Sequence, residues 1–273
     1  MFAREVWWVT GASSGIGAAL ARALAARRAS VILSGRNVTA LEALARECAD
    51  ALVLPFEATD FDRIPEIAER AWGWKGRVDA LVNNAGISQR SLAVDTRFSV
   101  YQRMIAVDLL APIALTQALL PRMVKAGGGR IVAISSVAGI LGAPMRSAYC
   151  AAKHGLIGYH DAVRAENEHL GLRVHVIAPG SVRTDVSRNA LTADGSRRGV
   201  SDAVIDNGLP PGEAAAAILD AVEAGRRELV LATGAELDIA QLRRRDPEAL
   251  FDRMSEMVRA GYARALAGDR GKS

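Results

Sequence analysis

Short apolar runs alternate along the chain with segments long enough for helices. The runs Val6–Val9, Ser30–Leu33, Ala51–Pro55, Ala80–Val82, Arg130–Ile134, Val174–Ile177 and Leu229–Ala232 have the length and continuity of strands covered on both faces. Each except the last is followed by a longer amphipathic or polar stretch. The alternation predicts an α/β fold, a doubly wound parallel sheet of about seven strands with helices on both faces, in a single domain over 1–273. No repeat or linker divides the chain before about residue 185. From Asp185 to Leu209 the composition turns polar and irregular, and Pro210-Pro211-Gly212 then opens a helix that Gly225 closes. An insertion of this kind, at about 185–212, suits a substrate lid, with a plain surface loop as the alternative. The segment at about 235–268 spaces Leu, Phe and Met helically between arginines. It predicts a helical extension packed on its own domain or across a dimer, with peripheral membrane contact as the other reading.

Composition narrows the class without choosing a function. Half of the 273 residues are hydrophobic and the mean hydropathy is +0.12, enough for a sizeable core. The net charge of +4 comes with arginines scattered along the chain, Arg243-Arg244-Arg245 included, and reads as a solvated face rather than a nucleic-acid surface. Two cysteines, Cys48 and Cys150, make neither a disulfide framework nor a metal site, which points to a reducing, cytoplasmic setting and no metal. The chain enters a strand straight after Arg4-Glu5, so no signal peptide is expected. No uninterrupted apolar stretch reaches the roughly 20 residues of a membrane span.

Three short segments carry candidate chemistry. In "VTGASSGIG", Gly11, Gly15 and Gly17 lie between the first strand and an alanine-rich helix. There, backbone N–H groups and the positive end of a helix dipole can meet a pyrophosphate, although a ligand-free glycine turn would look the same. "NNAG", ending at Gly86, follows the fourth strand. In "SSVAGILGAPMRSAYCAAKHGL", Ser136 precedes Tyr149 by 13 residues and Lys153 follows it by 4, which puts tyrosine and lysine on one helix face.

Together with "APGSVRT" at 178–184, these segments identify the chain as resembling the short-chain dehydrogenase/reductase family over nearly its whole length. The resemblance implies a Rossmann-type fold and a pyrophosphate turn of Gly11, Ser13, Ser14, Gly15, Ile16 and Gly17. It also implies nucleotide contacts from Glu57, Ala58, Asn83, Ala85 and Gly86, and a segment framing the nicotinamide from Pro179, Gly180, Val182 and Thr184. The part from Asp185 to Arg244 is similar to the branch of hydroxysteroid-dehydrogenase-like and acyl-dihydroxyacetone-type reductases. Several of those carry an N-terminal membrane anchor that this chain is expected to lack.

Side-chain chemistry fits these roles. A free tyrosine, with a pKa of about 10, exchanges protons poorly at neutral pH unless its anion is stabilised. The ammonium of Lys153 would supply that stabilisation, making Tyr149 the general acid in reduction and general base in oxidation. Ser136 can bond the substrate oxygen as charge develops there. The resemblance gives Lys153 a second bond, to the nicotinamide ribose. Asp108 stands where the family usually has asparagine. A carboxylate there would partly cancel the field of Lys153 and push the pH optimum upward. At the end of the second strand, "VILSGRN" has Gly35 where NAD-preferring enzymes place an acid, so Ser34, Arg36 and Asn37 predict NADP(H) over NAD(H). Ala138, Gly139, Ala143, Pro144 and Met145 predict a mainly apolar pocket of little charge, for a small hydrophobic ketone or secondary alcohol. The resemblance implies a homo-oligomer, a dimer or tetramer, formed through the helices carrying Asp108 and Tyr149. An epimerase or dehydratase of the same fold, and a non-catalytic NADP-binding regulator, are the alternatives.

Overall fold

A computed structural model describes residues 2–262 of the chain. Seven strands form one parallel sheet: β1 (Val6–Thr10), β2 (Ser30–Ser34), β3 (Ala51–Val53), β4 (Ala80–Asn83), β5 (Gly129–Ile134), β6 (Leu172–Pro179) and β7 (Glu228–Leu231). Their order is β3-β2-β1-β4-β5-β6-β7, and every neighbouring pair is parallel. All seven expected strands are present, with boundaries shifted by a residue or two. The order reverses between β1 and β4, and a crevice opens there beyond the carboxyl ends of the strands, where open α/β sheets bind ligands.

The helices are α1 (Gly15–Ala26), α2 (Val38–Glu47), α3 (Ile64–Gly73), α4 (Phe98–Ile105), α5 (Ala111–Lys125), α6 (Ser147–Asn167), α7 (Ala203–Asp206), α8 (Pro211–Glu223), α9 (Gly234–Arg245) and α10 (Pro247–Arg259). Strand periodicity explains how they are held. Trp7 and Trp8 are adjacent and both fully buried, but they point to opposite faces of β1. Trp7 packs with Leu20 and Leu24 of α1, Leu41 of α2, and Ile218 and Val222 of α8. Trp8 packs with Ile64 and Ile67 of α3, Leu115 and Leu119 of α5, and Val163 of α6. Two cores thus clamp one sheet, which is why its strands are apolar without alternation.

Three features refine the expectations. A single π-type turn at Ala106–Leu110 joins α4 to α5 in one continuous helix, Phe98–Lys125. By length and composition this helix meets the test for a membrane span, as a buried core helix also does; Asp108, Thr116 and Gln117 interrupt the apolar run in sequence without ending the helix. Its Val100, Met104, Leu115, Leu119 and Met123 are buried in the fold. Between β6 and α8, residues 185–209 hold only the one-turn α7 and bond back to the loop after β4, through Leu191 N–H to the Ser88 carbonyl (2.7 Å) and Arg90 N–H to the Leu191 carbonyl (2.8 Å). Beyond β7 the chain forms two helices rather than one. They break at Asp246-Pro247, where Asp246 caps α10 by accepting from Ala249 N–H (3.0 Å). Residues 263–268 of the expected extension lie outside the described residues.

Candidate active site

The crevice at the reversal point is a cavity of about 1010 Å³ that runs from the ends of β2 and β3, across the β1–α1 turn, to residues 185–205 and α10. At its nucleotide end the wall is largely backbone. Gly15 adopts φ +54°, a left-handed conformation that disfavours side chains. Gly17 lies beneath the turn, where a Cβ would fall 2.3 Å from the Gly11 carbonyl oxygen. It therefore shapes the cradle without lining it. Helix α1 begins at the cavity with no side-chain cap at Ser14, so its N-terminus is available to an anion. Asn84 ties β4 to this turn by donating to the Thr10 carbonyl (2.9 Å), while Thr10 Oγ1 accepts from the N–H groups of Asn84 and Ala85 (both 3.0 Å).

Gly11, Ser13, Ser14, Ile16, Arg36, Glu57, Ala58, Ala85, Gly86, Pro179, Gly180, Val182 and Thr184 all line this one cavity. Three other expectations change. Ser34 reaches the wall, but its buried hydroxyl is engaged elsewhere, donating to the Leu54 carbonyl (2.6 Å) and accepting from the Trp8 indole (2.8 Å). Asn37 is the N-cap of α2, accepting from Ala40 N–H (3.1 Å), and does not reach the cavity. Asn83 is buried behind the sheet edge, donating to Thr116 Oγ1 (3.0 Å) beside His160. Arg36 faces Glu57 at 3.6 Å across the cavity rim, both well exposed.

At the reactive end, Ser136, Tyr149, Lys153 and Asp108 converge on the same cavity. Ser136 starts the turn after β5, accepting from Ala138 N–H (3.1 Å) and donating to the Pro179 carbonyl (3.3 Å). Tyr149 stands in the first turn of α6. The buried ammonium of Lys153 lies 5.7 Å from its ring centre and donates to the Ile134 carbonyl (3.1 Å). Asp108, fully buried in the π-type turn, accepts from Ile87 N–H through Oδ1 (2.9 Å). Its Oδ2 sits 3.3 Å from Lys153 Nζ, close enough for charge attraction but without a directed hydrogen bond. A Cβ on Gly86 would fall 2.9 Å from that oxygen, so this position keeps the pair accessible from the cavity. Burial pushes the Asp108 carboxyl up, with Lys153 and the Ile87 N–H opposing. Burial also works against the Lys153 ammonium, but Asp108 and Tyr149 outweigh it and hold its pKa above the ordinary lysine value.

The substrate side departs most from expectation. Ala138, Ala143 and Pro144 line it, whereas Gly139 and Met145 do not. Instead of a pocket with little charge, Arg90 and Arg146 form part of the wall. Arg90 bonds Asp202 Oδ2 (2.7 Å), Ser88 Oγ (2.9 Å) and the Gln89 carbonyl (2.8 Å). Gln89 accepts from Ala148 N–H (2.8 Å) and so fixes the start of the helix that carries Tyr149. Glu236 of α9 accepts from Ser181 N–H (2.8 Å) and Oγ (2.6 Å), anchoring the extension beside Gly180. None of these residues stands out in sequence, because partners such as Arg90 and Asp202 are 112 positions apart. Of these, only "SQR" lies close to a motif, one residue after "NNAG".

Residues 5–195 match the family described as short chain dehydrogenase. The chain is 42% identical over 231 residues to dehydrogenase/reductase SDR family member 7B of Mus musculus, covering 82% of this chain and 72% of the relative. Among solved structures, it resembles a short-chain dehydrogenase from Streptomyces avermitilis with a TM-score of 0.82 and 31% identity, over 94% of this chain and 98% of the other. A metagenomic short-chain oxidoreductase in complex with NADP aligns with a TM-score of 0.70 and 31% identity, over 85% and 99% of the two chains.

Proposed function

This chain belongs to the short-chain dehydrogenase family, and on that premise we propose that it is an NADP-dependent oxidoreductase interconverting a ketone and a secondary alcohol. The observation that supports this most is the single continuous cavity, which joins the uncapped start of α1 to Tyr149, Ser136 and Lys153. The glycine-walled turn fits a pyrophosphate because Gly11 and Gly15, both at positive φ, line the cavity with bare backbone beside the uncapped start of α1. When bound, the nicotinamide supplies or accepts the hydride.

The remaining work falls to side chains of this chain. Ser136 Oγ bonds the carbonyl oxygen and stabilises the charge that develops on it. Tyr149 delivers the proton to that oxygen, and the nearby Lys153 charge favours the phenolate left behind. Asp108 and the Ile134 carbonyl hold the Lys153 ammonium in place. Arg36 favours NADP(H) by gripping its extra phosphate. Its contact with Glu57 is exposed and therefore weak enough to be exchanged for that phosphate. Residues 185–212 act as the lid, and a dimer through the Asp108 and Tyr149 helices completes the reading. Likeness to the hydroxysteroid-dehydrogenase-like and acyl-dihydroxyacetone-type branch suits a substrate with an apolar body, which Leu141, Ile205, Ile239, Met254 and Met257 of the cavity wall would cover.

Titration of the purified protein with NADPH and NADH, followed by absorbance-monitored turnover on a ketone panel, tests this reading. Tighter NADPH binding with reduction of at least one ketone is expected. NADPH binding with no turnover of any ketone or alcohol would favour the regulator instead.

A further inference from the structure

Helix α6 carries Tyr149 in its first turn, yet its own sequence gives that turn little to hold it. The N-cap residue is Arg146, which has no acceptor atom, and no acidic residue stands in the first turn. The entry to the helix puts Met145 at φ +62°, a left-handed conformation that a non-glycine residue holds only at a cost. The first intrahelical bond runs from Cys150 N–H to the Arg146 carbonyl (2.7 Å), so the N–H groups of Ser147, Ala148 and Tyr149 need partners from outside the helix. Left to itself, such an end frays.

Gln89 answers one of these groups from 59 positions away. Its Oε1 accepts from Ala148 N–H at 2.8 Å, in the place that the side chain of an N-cap serine or aspartate would otherwise fill. The side chain is fully buried and used at both ends: Nε2 donates to Thr96 Oγ1 (3.0 Å), Ser91 Oγ (3.0 Å) and the Ser91 carbonyl (3.3 Å). Turning the amide over would set its NH2 against Ala148 N–H, donor on donor, so its orientation is fixed. The base it reaches from is fixed as well. Leu191 N–H bonds the Ser88 carbonyl and Arg90 N–H bonds the Leu191 carbonyl, one on either side of Gln89, while Ser91 N–H bonds the Met145 carbonyl (3.1 Å). Segment 88–91 therefore grips the entry to α6 twice, before Arg146 and after it. Tyr101 adds a third tie, but to the Ser147 hydroxyl (2.8 Å) rather than to a backbone N–H.

The other partners of Gln89 do not depend on it. The Ser91 and Thr96 hydroxyls bond each other (2.7 Å), and Thr96 Oγ1 also donates to the Leu92 carbonyl (2.6 Å). An apolar side chain of the same length would fill the space and strand only the N–H of Ala148, a residue with no exposed surface. That amide lies directly before Tyr149. We infer that Gln89 is a positioning residue for proton delivery: it caps α6 where Arg146 cannot, and so holds the Tyr149 hydroxyl within reach of the substrate oxygen. This rests on the reduction proposed above. A displacement of about 1 Å at such a site costs up to about a hundred-fold in rate.

Three variants test this. Gln89→Met keeps the length and removes the acceptor, Gln89→Glu keeps the acceptor with the Ser91 and Thr96 hydroxyls able to turn toward it, and Thr96→Val loosens only the other end of the amide. In Gln89→Met the single-turnover rate at saturating ketone is expected to fall about ten- to a hundred-fold, with the NADPH Kd held within about two-fold. Its solvent deuterium isotope effect should rise as proton delivery becomes limiting. Gln89→Glu is expected to recover most of the rate, and Thr96→Val to keep it even where the urea midpoint is lower. Hydrogen exchange resolved to residues 147–149 reads the cap without turnover: the Ala148 amide should exchange slowly in the wild type and at least about ten-fold faster in Gln89→Met, with the strands unchanged. If exchange responds in this way but the wild type reduces no ketone, the cap stands and the reduction falls. The inference is overturned if Gln89→Met turns over at the wild-type rate, if Gln89→Glu is no better than Gln89→Met, or if rate follows the urea midpoint alike in Gln89→Met and Thr96→Val. Rapid exchange of the Ala148 amide in the folded wild type also overturns it, and that measurement needs no variant to fold.

Discussion

At its nucleotide end the cavity is walled by backbone and glycine, while at its lid end it is walled by guanidinium and carboxylate. The first wall is shaped by space: Gly11 and Gly15 line it with bare backbone, Gly17 beneath them lets the turn pack, and the end of a helix supplies partial charge without a titrating group. The second carries charge: Arg90 and Arg146 line it, and Asp202 and Arg198 pair behind them. A neutral cradle tolerates any nucleotide with a pyrophosphate, so in the proposed reading cofactor choice falls to Arg36 at the rim. The charged side chains hold residues 185–209 against the loop after β4, through Arg90 and Asp202. The two ends should therefore fail in different ways, which mutation can expose.

The largest effect is expected from Arg90→Leu, which leaves buried Asp202 without its direct partner. Breaking a buried pair on one side costs about 3–5 kcal/mol, so urea unfolding should show a midpoint far below the wild type. A change within error would mean that Asp202 re-pairs fully with Arg198 and Arg146. Next comes the acid limb of stability. His160 is buried, bonded to the Leu156 carbonyl, and desolvation lowers its pKa from 6.5 to about 4. The unfolded chain binds this proton below about pH 6.5 and the folded chain only below about 4. Stability should therefore fall as pH is lowered through that window, by about 3 kcal/mol in all. His160→Gln should flatten the dependence of the urea midpoint over that range; an unaltered slope would assign it to other groups.

Smaller effects bear on the nucleotide end. Arg36→Ala should reduce the preference for NADPH over NADH by about ten- to a hundred-fold in Kd while leaving the NADH value nearly unchanged. An equal loss for both cofactors would place Arg36 on adenine rather than on the phosphate. The smallest is Asp108→Asn. Removing the carboxylate beside Lys153 strengthens the field that favours the phenolate, so the pH profiles of both reduction and oxidation should move to lower pH, by about one unit or less. Activity should be retained. An unmoved profile would separate Asp108 from the proton path.

The sheet was legible because strands covered on both faces write continuous apolar runs, and even the opposed Trp7 and Trp8 fit that pattern. The nucleotide turn and the Ser136, Tyr149 and Lys153 set were legible because each is compact in sequence. What stayed hidden is long-range or depends on which way a side chain turns. Asn83 and Asn84 are neighbours, but only Asn84 reaches the cavity; β4 points the other into the space beside His160. Ser34 and Asn37 sit at the expected place with their oxygens engaged by Trp8 and Leu54, and by Ala40. The substrate wall was read as apolar because Arg90, Arg146 and Asp202 are scattered through three segments that meet only in the fold.

The central claim is that one cavity carries hydride from a nicotinamide at the glycine-walled end to a carbonyl held beside Tyr149. The most direct test is mass spectrometry of the alcohol formed from deuterium-labelled NADPH and the ketones of the panel, by the wild type and by Tyr149→Phe, with NADPH binding measured for both. The account predicts deuterium at the carbinol carbon with the wild type, and a loss of about a hundred-fold or more in the variant while its NADPH affinity persists. Equal label transfer by the two proteins, or none by the wild type to any of the ketones, would contradict it.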